Sequence, residues 1–142
     1  MFENICVIGC GLIGSSILRA IKDKKLSKNV SAYDKSKDVI AFIKKENLSQ
    51  NPTSDIRLAV KDSDLIIIAA PLSAYKEILL SVKENLKKNV ILTDTGSVKI
   101  EINKIIENLN LKEVSWIPSH PIAGTEESGP HAGFAELFKD RW

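Results

Sequence analysis

The sequence is poor in the residues that metal, redox and membrane chemistry need. It holds two cysteines and two histidines in 142 residues. Cys6 and Cys10 match no metal-ligand spacing, and no Cys or His partners follow at suitable intervals, so no metal site is expected. Both thiols read as reduced and structural. The longest apolar run, Leu65 to Leu72, is too short to span a bilayer, which argues against a membrane protein. Met1-Phe2-Glu3-Asn4 places no basic region ahead of an apolar stretch, so no leader is expected and the cytoplasm is the expected location. Charge of one sign is also scarce. The formal net charge is +2, and the basic residues are mostly lysines spread along helix faces, so nucleic acid is not an expected partner. No internal repeat, linker or low-complexity segment interrupts the chain.

What the chain does have is alternation. Ile5–Ile8 reads as a strand buried on both faces. A helix from about Leu12 to Lys22 follows, with Ile13, Ile17, Leu18 and Ile21 on one side. Asn29–Tyr33 reads as a strand, and Ser36 is placed to cap a helix carrying Val39, Ile40, Phe42 and Ile43. Between Leu48 and Ser63, Pro52 interrupts the pattern and only a short helix is indicated. Leu65–Ala69 is a buried strand ended by Pro71. Leu72, Tyr75, Leu79, Val82 and Leu86 stripe a long helix. Asn89–Thr93 is a strand, Val98, Ile102, Ile105 and Leu109 stripe a helix, and Val114–Ile117 is a last strand. Ala132–Trp142 is read as a short helix. This order predicts an α/β fold, a Rossmann-type doubly wound and mostly parallel sheet with helices on both faces. Residues 1–142 are read as one dinucleotide-binding domain.

Gly9-Cys10-Gly11-Leu12-Ile13-Gly14 leaves the first strand and opens the first helix, the context in which a glycine fingerprint carries meaning. Gly9 permits the tight turn, Gly11 the close approach of a pyrophosphate, and Gly14 the packing of helix on strand. Leu12 and Ile13 begin the helix, where free N–H groups and the positive end of the helix favour phosphate. Asp34 lies 20 residues after Gly14, where an acid accepts from ribose hydroxyls and repels a 2′-phosphate, so NAD is expected in preference to NADP. Ala69, Ala70 and Pro71 end a strand with small residues, which either leave room for the dinucleotide or pack against a helix.

Thr93-Asp94-Thr95-Gly96-Ser97-Val98-Lys99 leaves another strand and opens another helix. Ser97 sits where an N-cap belongs, so it reads as a cap or as a site residue. His120 follows its strand at the same edge of the sheet. It opens His120-Pro121-Ile122-Ala123-Gly124-Thr125-Glu126-Glu127-Ser128-Gly129-Pro130, a segment that can be neither regular helix nor strand. His131 reads as a surface residue.

These three motifs, in this order and spacing, resemble those of the prephenate and arogenate dehydrogenases of tyrosine biosynthesis, and the resemblance runs the length of the chain. It implies that His120 is the catalytic histidine, accepting the hydrogen bond of the hydroxyl on ring carbon C4. It implies that Ser97 touches that hydroxyl and the histidine, serving both catalysis and substrate binding. Glu126 matches an acid near the substrate's side chain. The implied reaction is oxidative decarboxylation, with hydride leaving C4 for the nicotinamide and the ring carboxylate departing as CO2. A neutral histidine can take the hydroxyl proton near neutral pH, and a serine beside it limits non-productive geometries.

The family continues into a helical domain that makes the dimer and supplies an arginine for a substrate carboxylate. The chain is therefore expected to lack that domain, with Arg57 and Arg141 as the arginines mobile enough to substitute. Two alternatives stand beside the enzyme: one half of a split enzyme, served by a helical dimerisation domain on another chain, and a shortened, non-catalytic NAD-binding module. Phe134, Leu137, Phe138 and Trp142 are expected to lack cover and to favour self-association.

Overall fold

A computed structural model describes residues 2–111 and 113–141. Six parallel strands form one sheet: β1 (Phe2–Ile8), β2 (Ser27–Tyr33), β3 (Asn51–Thr53), β4 (Leu65–Ile68), β5 (Val90–Asp94) and β6 (Val114–Ile117). Their order across the sheet is β3-β2-β1-β4-β5-β6, the doubly wound arrangement expected from the alternation. Five helices connect them: α1 (Leu12–Lys24), α2 (Lys37–Lys45), α3 (Ile56–Val60), α4 (Tyr75–Val82) and α5 (Lys99–Leu109).

The side-chain alternation of β1 shows how the sheet is covered. Cys6 and Ile8 enter the core under α3, α4 and α5 with Ile66, Ile68, Leu79, Leu92 and Ile102. Ile5 and Val7 enter the opposite core with Leu18, Ile21, Ala32 and Ile43 of α1, β2 and α2. Both faces of the central strands are therefore apolar, and continuous runs such as Ile5–Ile8 and Leu65–Ile68 follow from that.

Four details depart from the sequence reading. Asn51–Thr53 is a strand, pairing with Ser31–Tyr33 at the sheet edge, where Pro52 is tolerated. The stripe from Leu72 to Leu86 is three pieces, a 3₁₀ turn at Leu72–Ala74, α4, and a second 3₁₀ turn at Lys83–Asn85. The tail forms 3₁₀ turns at Pro130–Ala132 and Ala135–Phe138 in place of one helix. The tail is also partly covered. Leu137 is buried and Phe134 is 40% exposed, because the tail packs along α1, where the Phe134 N–H donates to Ser16 Oγ at 3.1 Å. Trp142 lies outside the described residues. No helix among the described residues is long and apolar enough to cross a membrane.

Candidate nucleotide and substrate site

All six strands run the same way, so every strand-to-helix loop emerges at one edge. The strand order reverses between β1 and β4, and ligands of such sheets sit in the crevice above that reversal. The glycine loop occupies this point. Gly9 has φ of +89°, a conformation that favours glycine. A side chain on it would come within 2.8 Å of the Ala69 carbonyl oxygen and 2.9 Å of the Ala70 nitrogen. The loop after β1 thus lies directly on the Ala69-Ala70-Pro71 end of β4. A side chain on Gly14 would overlap the Gly9 carbonyl oxygen, so Gly14 closes the turn onto the helix.

Gly11 is different. It is the N-cap residue of α1 and gives no side-chain cap, the first turn holds no acid, and nothing lies within 4 Å of where its Cβ would be. The first N–H groups of α1, beginning at Leu12 and Ile13, face this open space. A phosphate fits that donor set, since it would meet unpaired N–H groups and the positive helix end with no backbone in the way.

Asp34, at the end of β2, holds this arrangement. One carboxylate oxygen accepts the Cys10 N–H at 2.9 Å and the other accepts the Ser36 N–H at 2.9 Å. Gly9 N–H donates to the Tyr33 carbonyl at 2.8 Å. Asp34 is only partly buried, so oxygen lone pairs remain for a ribose hydroxyl. Ser36 caps α2, accepting the Val39 N–H at 3.4 Å. Cys10 is buried in the loop. Desolvation, and Asp34 beside it, push its thiol up to about 12. Burial pushes the Cys6 thiol up as well. No cluster of three or more His, Cys, Asp or Glu side chains suited to a metal occurs among the described residues.

The second and third motifs meet at Asp94, the last residue of β5. Its carboxylate is fully buried. One oxygen accepts from Lys99 Nζ at 2.5 Å, the Gly96 N–H at 2.9 Å and Tyr75 Oη at 3.2 Å. The other accepts the Ser119 N–H at 3.2 Å, while Ser119 Oγ donates to the Asp94 carbonyl at 2.5 Å. Desolvation and Asp94 push the Tyr75 phenol up, so it stays a donor. Sequence reasoning passed over Asp94, yet a signal was there. Val90, Leu92 and Asp94 share the buried phase of β5, and an acid in that phase needs partners.

Ser97 is not the helix cap. Val98 holds the N-cap position of α5 with no side-chain cap. Asp94 holds the turn in a cap's stead, the helix begins one residue later than the motif suggests, and Ser97 is left exposed. His120 is exposed at the same edge, just beyond β6. It lines a groove of about 400 Å³ over the α1 face of β4 and β5, with Ile17, Ile67, Phe138, Thr93, Thr95, Ser119 and Arg141. Arg57 instead lies beside Asp55 on the edge of α3, 4.0 Å from its carboxylate. Arg19, an arginine the sequence reading set aside, donates to the Pro130 carbonyl at 3.5 Å and anchors the far end of the His120 loop to α1. Glu126 is exposed in that loop, with no hydrogen bond to His120 or Ser97, and neither Glu126 nor Ser97 lines the groove. His131 is exposed, with its ring against Gly129.

Comparison with known proteins identifies the family. The model for the prephenate dehydrogenase nucleotide-binding domain matches residues 17–142, beginning within α1. A cyclohexadienyl dehydrogenase of Zymomonas mobilis is 46% identical over 99% of the chain, which spans 47% of that protein. A prephenate dehydrogenase of Lactococcus lactis is 32% identical over 99% of the chain and 40% of its own length. The crystal structure of a prephenate dehydrogenase from A. aeolicus, in complex with hydroxyphenyl propionate and NAD+, superposes with a TM-score of 0.89 at 24% identity, over 99% of the chain and 49% of its own. The chain spans under half the length of each of these relatives. By the family match and this shared architecture, the chain belongs to the prephenate dehydrogenase family and corresponds to its nucleotide-binding domain.

Proposed function

We propose that this chain is the NAD-binding, proton-accepting part of a prephenate or arogenate dehydrogenase, working in the cytoplasm, with residues 1–142 as one dinucleotide-binding domain. The observation that carries the reading is the shared edge: the glycine loop over the sheet's reversal point, and His120, just beyond β6, beside an apolar groove over β4 and β5. Gly9, Gly11, Leu12, Ile13 and Gly14 would hold the pyrophosphate, Asp34 the ribose hydroxyls, and Ala70 with Pro71 would border the dinucleotide. Asp34 disfavours a 2′-phosphate, which favours NAD over NADP.

When bound, NAD+ supplies the hydride acceptor. An imidazole nitrogen of His120 takes the proton of the C4 hydroxyl as the C4–H bond breaks. Ser97 would orient that hydroxyl, and Glu126 would meet the substrate's side chain. The apolar walls of the groove, Ile17, Ile67 and Phe138, receive the ring and exclude water. The bond to the ring carboxylate then breaks and CO2 leaves; its electron pair enters the ring, the C4 carbonyl pair moves onto oxygen, and the phenolate so formed takes the proton back from His120.

The test is absorbance at 340 nm with prephenate or arogenate, on the chain alone and with a separately expressed helical domain from a relative. Turnover is expected with at least one substrate, and His120→Asn should abolish it while sparing NAD+ affinity. Equal loss of turnover and NAD+ affinity would assign His120 a structural role. One observation favours a second reading, a nucleotide-binding module that is silent by itself. Glu126 stands exposed and unbonded to His120 or Ser97, so the substrate side of the site is not assembled. Tight NAD+ binding without turnover, with or without the helical domain, would favour the module.

A further inference from the structure

Asp94 does more than a core residue needs to do. Burying an ionised carboxylate is costly unless it is paired and fully hydrogen-bonded, and an apolar side chain of similar volume often stabilises a fold as well or better. What an apolar residue cannot do is hold donors in fixed directions. The partners of Asp94 come from four places: Gly96 from the turn after β5, Lys99 from the start of α5, Ser119 from the loop after β6, and Tyr75 from α4. The turn is also pressed onto the carboxylate. A Cβ on Gly96 would lie 3.0 Å from Asp94 Oδ2, 3.0 Å from Ile102 Cδ1 and 3.2 Å from Tyr75 Oη. Gly96 precedes Ser97, and Ser119 precedes His120.

We propose that Asp94 is a positioning residue that sets the spacing between Ser97 and His120, one carboxylate oxygen gripping the Gly96 N–H and the other the Ser119 N–H. Lys99, itself one-quarter exposed, supplies the opposite charge that makes the buried anion tolerable. Ser119 adds a second tie through its hydroxyl to the Asp94 carbonyl. The proposal rests on the roles given above to Ser97 and His120.

Asp94→Asn keeps the volume but leaves a single acceptor oxygen, so it can serve only one of the two loops. Amide exchange followed by NMR on the full chain should show Gly96 or Ser119 exchanging at least about tenfold faster, as for a lost charge-assisted hydrogen bond. The His120 ring signals should move, and NAD+ affinity should stay within about twofold, since the phosphate loop is held by Asp34 instead. Where turnover is measurable, kcat should fall and KM for NAD+ should hold. Ser119→Ala, which leaves the carboxylate intact, should move the His120 signals without speeding Gly96 exchange, and it serves where the Asn variant fails to fold. Unchanged His120 signals in both variants would overturn the proposal. So would faster exchange across the whole sheet together with lost NAD+ affinity, the mark of a purely structural acid. The functional reading fails separately, if His120→Asn leaves turnover intact.

Discussion

Gly11 and Gly14 sit three residues apart, one at the N-cap of α1 and one in its first turn, yet alanine at Gly14 should destabilise the fold whereas alanine at Gly11 should weaken NAD+ binding alone. At Gly14 the new Cβ overlaps the Gly9 carbonyl oxygen and lies 2.9 Å from its carbon and 3.4 Å from Val7 Cγ1. Backbone cannot rotate away as a side-chain tip can, so α1 must back off the end of β1. Overpacking of this kind costs about 1–3 kcal/mol of stability. The displaced helix end would also bind the dinucleotide poorly. At Gly11 there is nothing within 4 Å, and φ of −69° is open to any residue. Alanine there restricts the unfolded chain but is a poorer N-cap than glycine, two opposed effects that leave stability within about 1 kcal/mol. Its methyl group would occupy the space where a pyrophosphate must approach the Leu12 and Ile13 N–H groups. Disturbing one hydrogen bond to a charged group costs about 1.5–3 kcal/mol, or roughly 10- to 150-fold in affinity. Urea unfolding and calorimetric titration with NAD+ read the two effects separately. Gly11→Ala should hold the unfolding free energy within about 1 kcal/mol of wild type and weaken NAD+ by at least about tenfold. Wild-type NAD+ affinity in Gly11→Ala would refute the phosphate assignment, whatever Gly14→Ala does.

Asp34→Ala should weaken NAD+ by about tenfold and NADP+ less, because it removes the ribose acceptor while relieving repulsion of a 2′-phosphate; an unchanged preference in paired titrations would remove Asp34 from the ribose site. Gly133→Ala should lower the thermal midpoint, because its Cβ would overlap Ser15 Oγ and lie 3.0 Å from the Ser16 nitrogen, whereas Gly124→Ala, with nothing within 4 Å, should not; equal midpoints would show that the tail is not seated on α1 as described. Both buried thiols should resist alkylation at pH 8 until the chain unfolds, given Cys10 at about 12 and Cys6 higher still. Below the ordinary thiol value both states keep these protons; above it only the unfolded chain releases them, so stability should fall by up to about 1.4 kcal/mol per pH unit per thiol from about pH 8.5 upward. A urea midpoint that a double Cys→Ser variant leaves equally sensitive between pH 7.5 and 9.5 would contradict this.

The strands that build the centre of the sheet were legible because burial on both faces demands unbroken apolar runs, which Ile5–Ile8 and Leu65–Ile68 supply. The edge was not. Asn51-Pro52-Thr53 carries no apolar pattern, and it becomes a strand only because Ser31–Tyr33 offers a free ladder beside it. The Leu72–Leu86 stripe kept its apolar period through two 3₁₀ turns, so periodicity joined what backbone hydrogen bonding divides. In the candidate site Gly9 and Gly14 answer to local steric demands that a sequence can show, a positive φ at one and the close approach of the Gly9 carbonyl at the other, whereas Gly11 meets no such demand. Of the two readings open for Ser97, the cap fails because the competing acceptor, Asp94, acts on the turn from inside the core. The partial cover of the tail was invisible for a similar reason: it depends on Ser16 and Arg19, more than a hundred residues upstream.

Asp34 and Asp94 solve one problem twice. Asp34 directly follows β2 and Asp94 is the last residue of β5, and each uses one carboxylate oxygen on the N–H two residues ahead, Ser36 or Gly96. The other oxygen takes the N–H of a loop from the neighbouring strand, Cys10 beyond β1 or Ser119 beyond β6. Loops at a sheet edge lose conformational entropy when fixed, and their N–H groups lack ladder partners. A carboxylate at a strand end meets both demands, because it has acceptors enough for its own turn and for its neighbour's. The two acids stand on β2 and β5, with β1 and β4 between them, so each grips its loops independently of the other. One fixes the segment proposed to hold the dinucleotide, and the other fixes the segments that bear Ser97 and His120. The reversal of the sheet lies between the two acids, and a nicotinamide held by the first segment would have to reach across it toward the second.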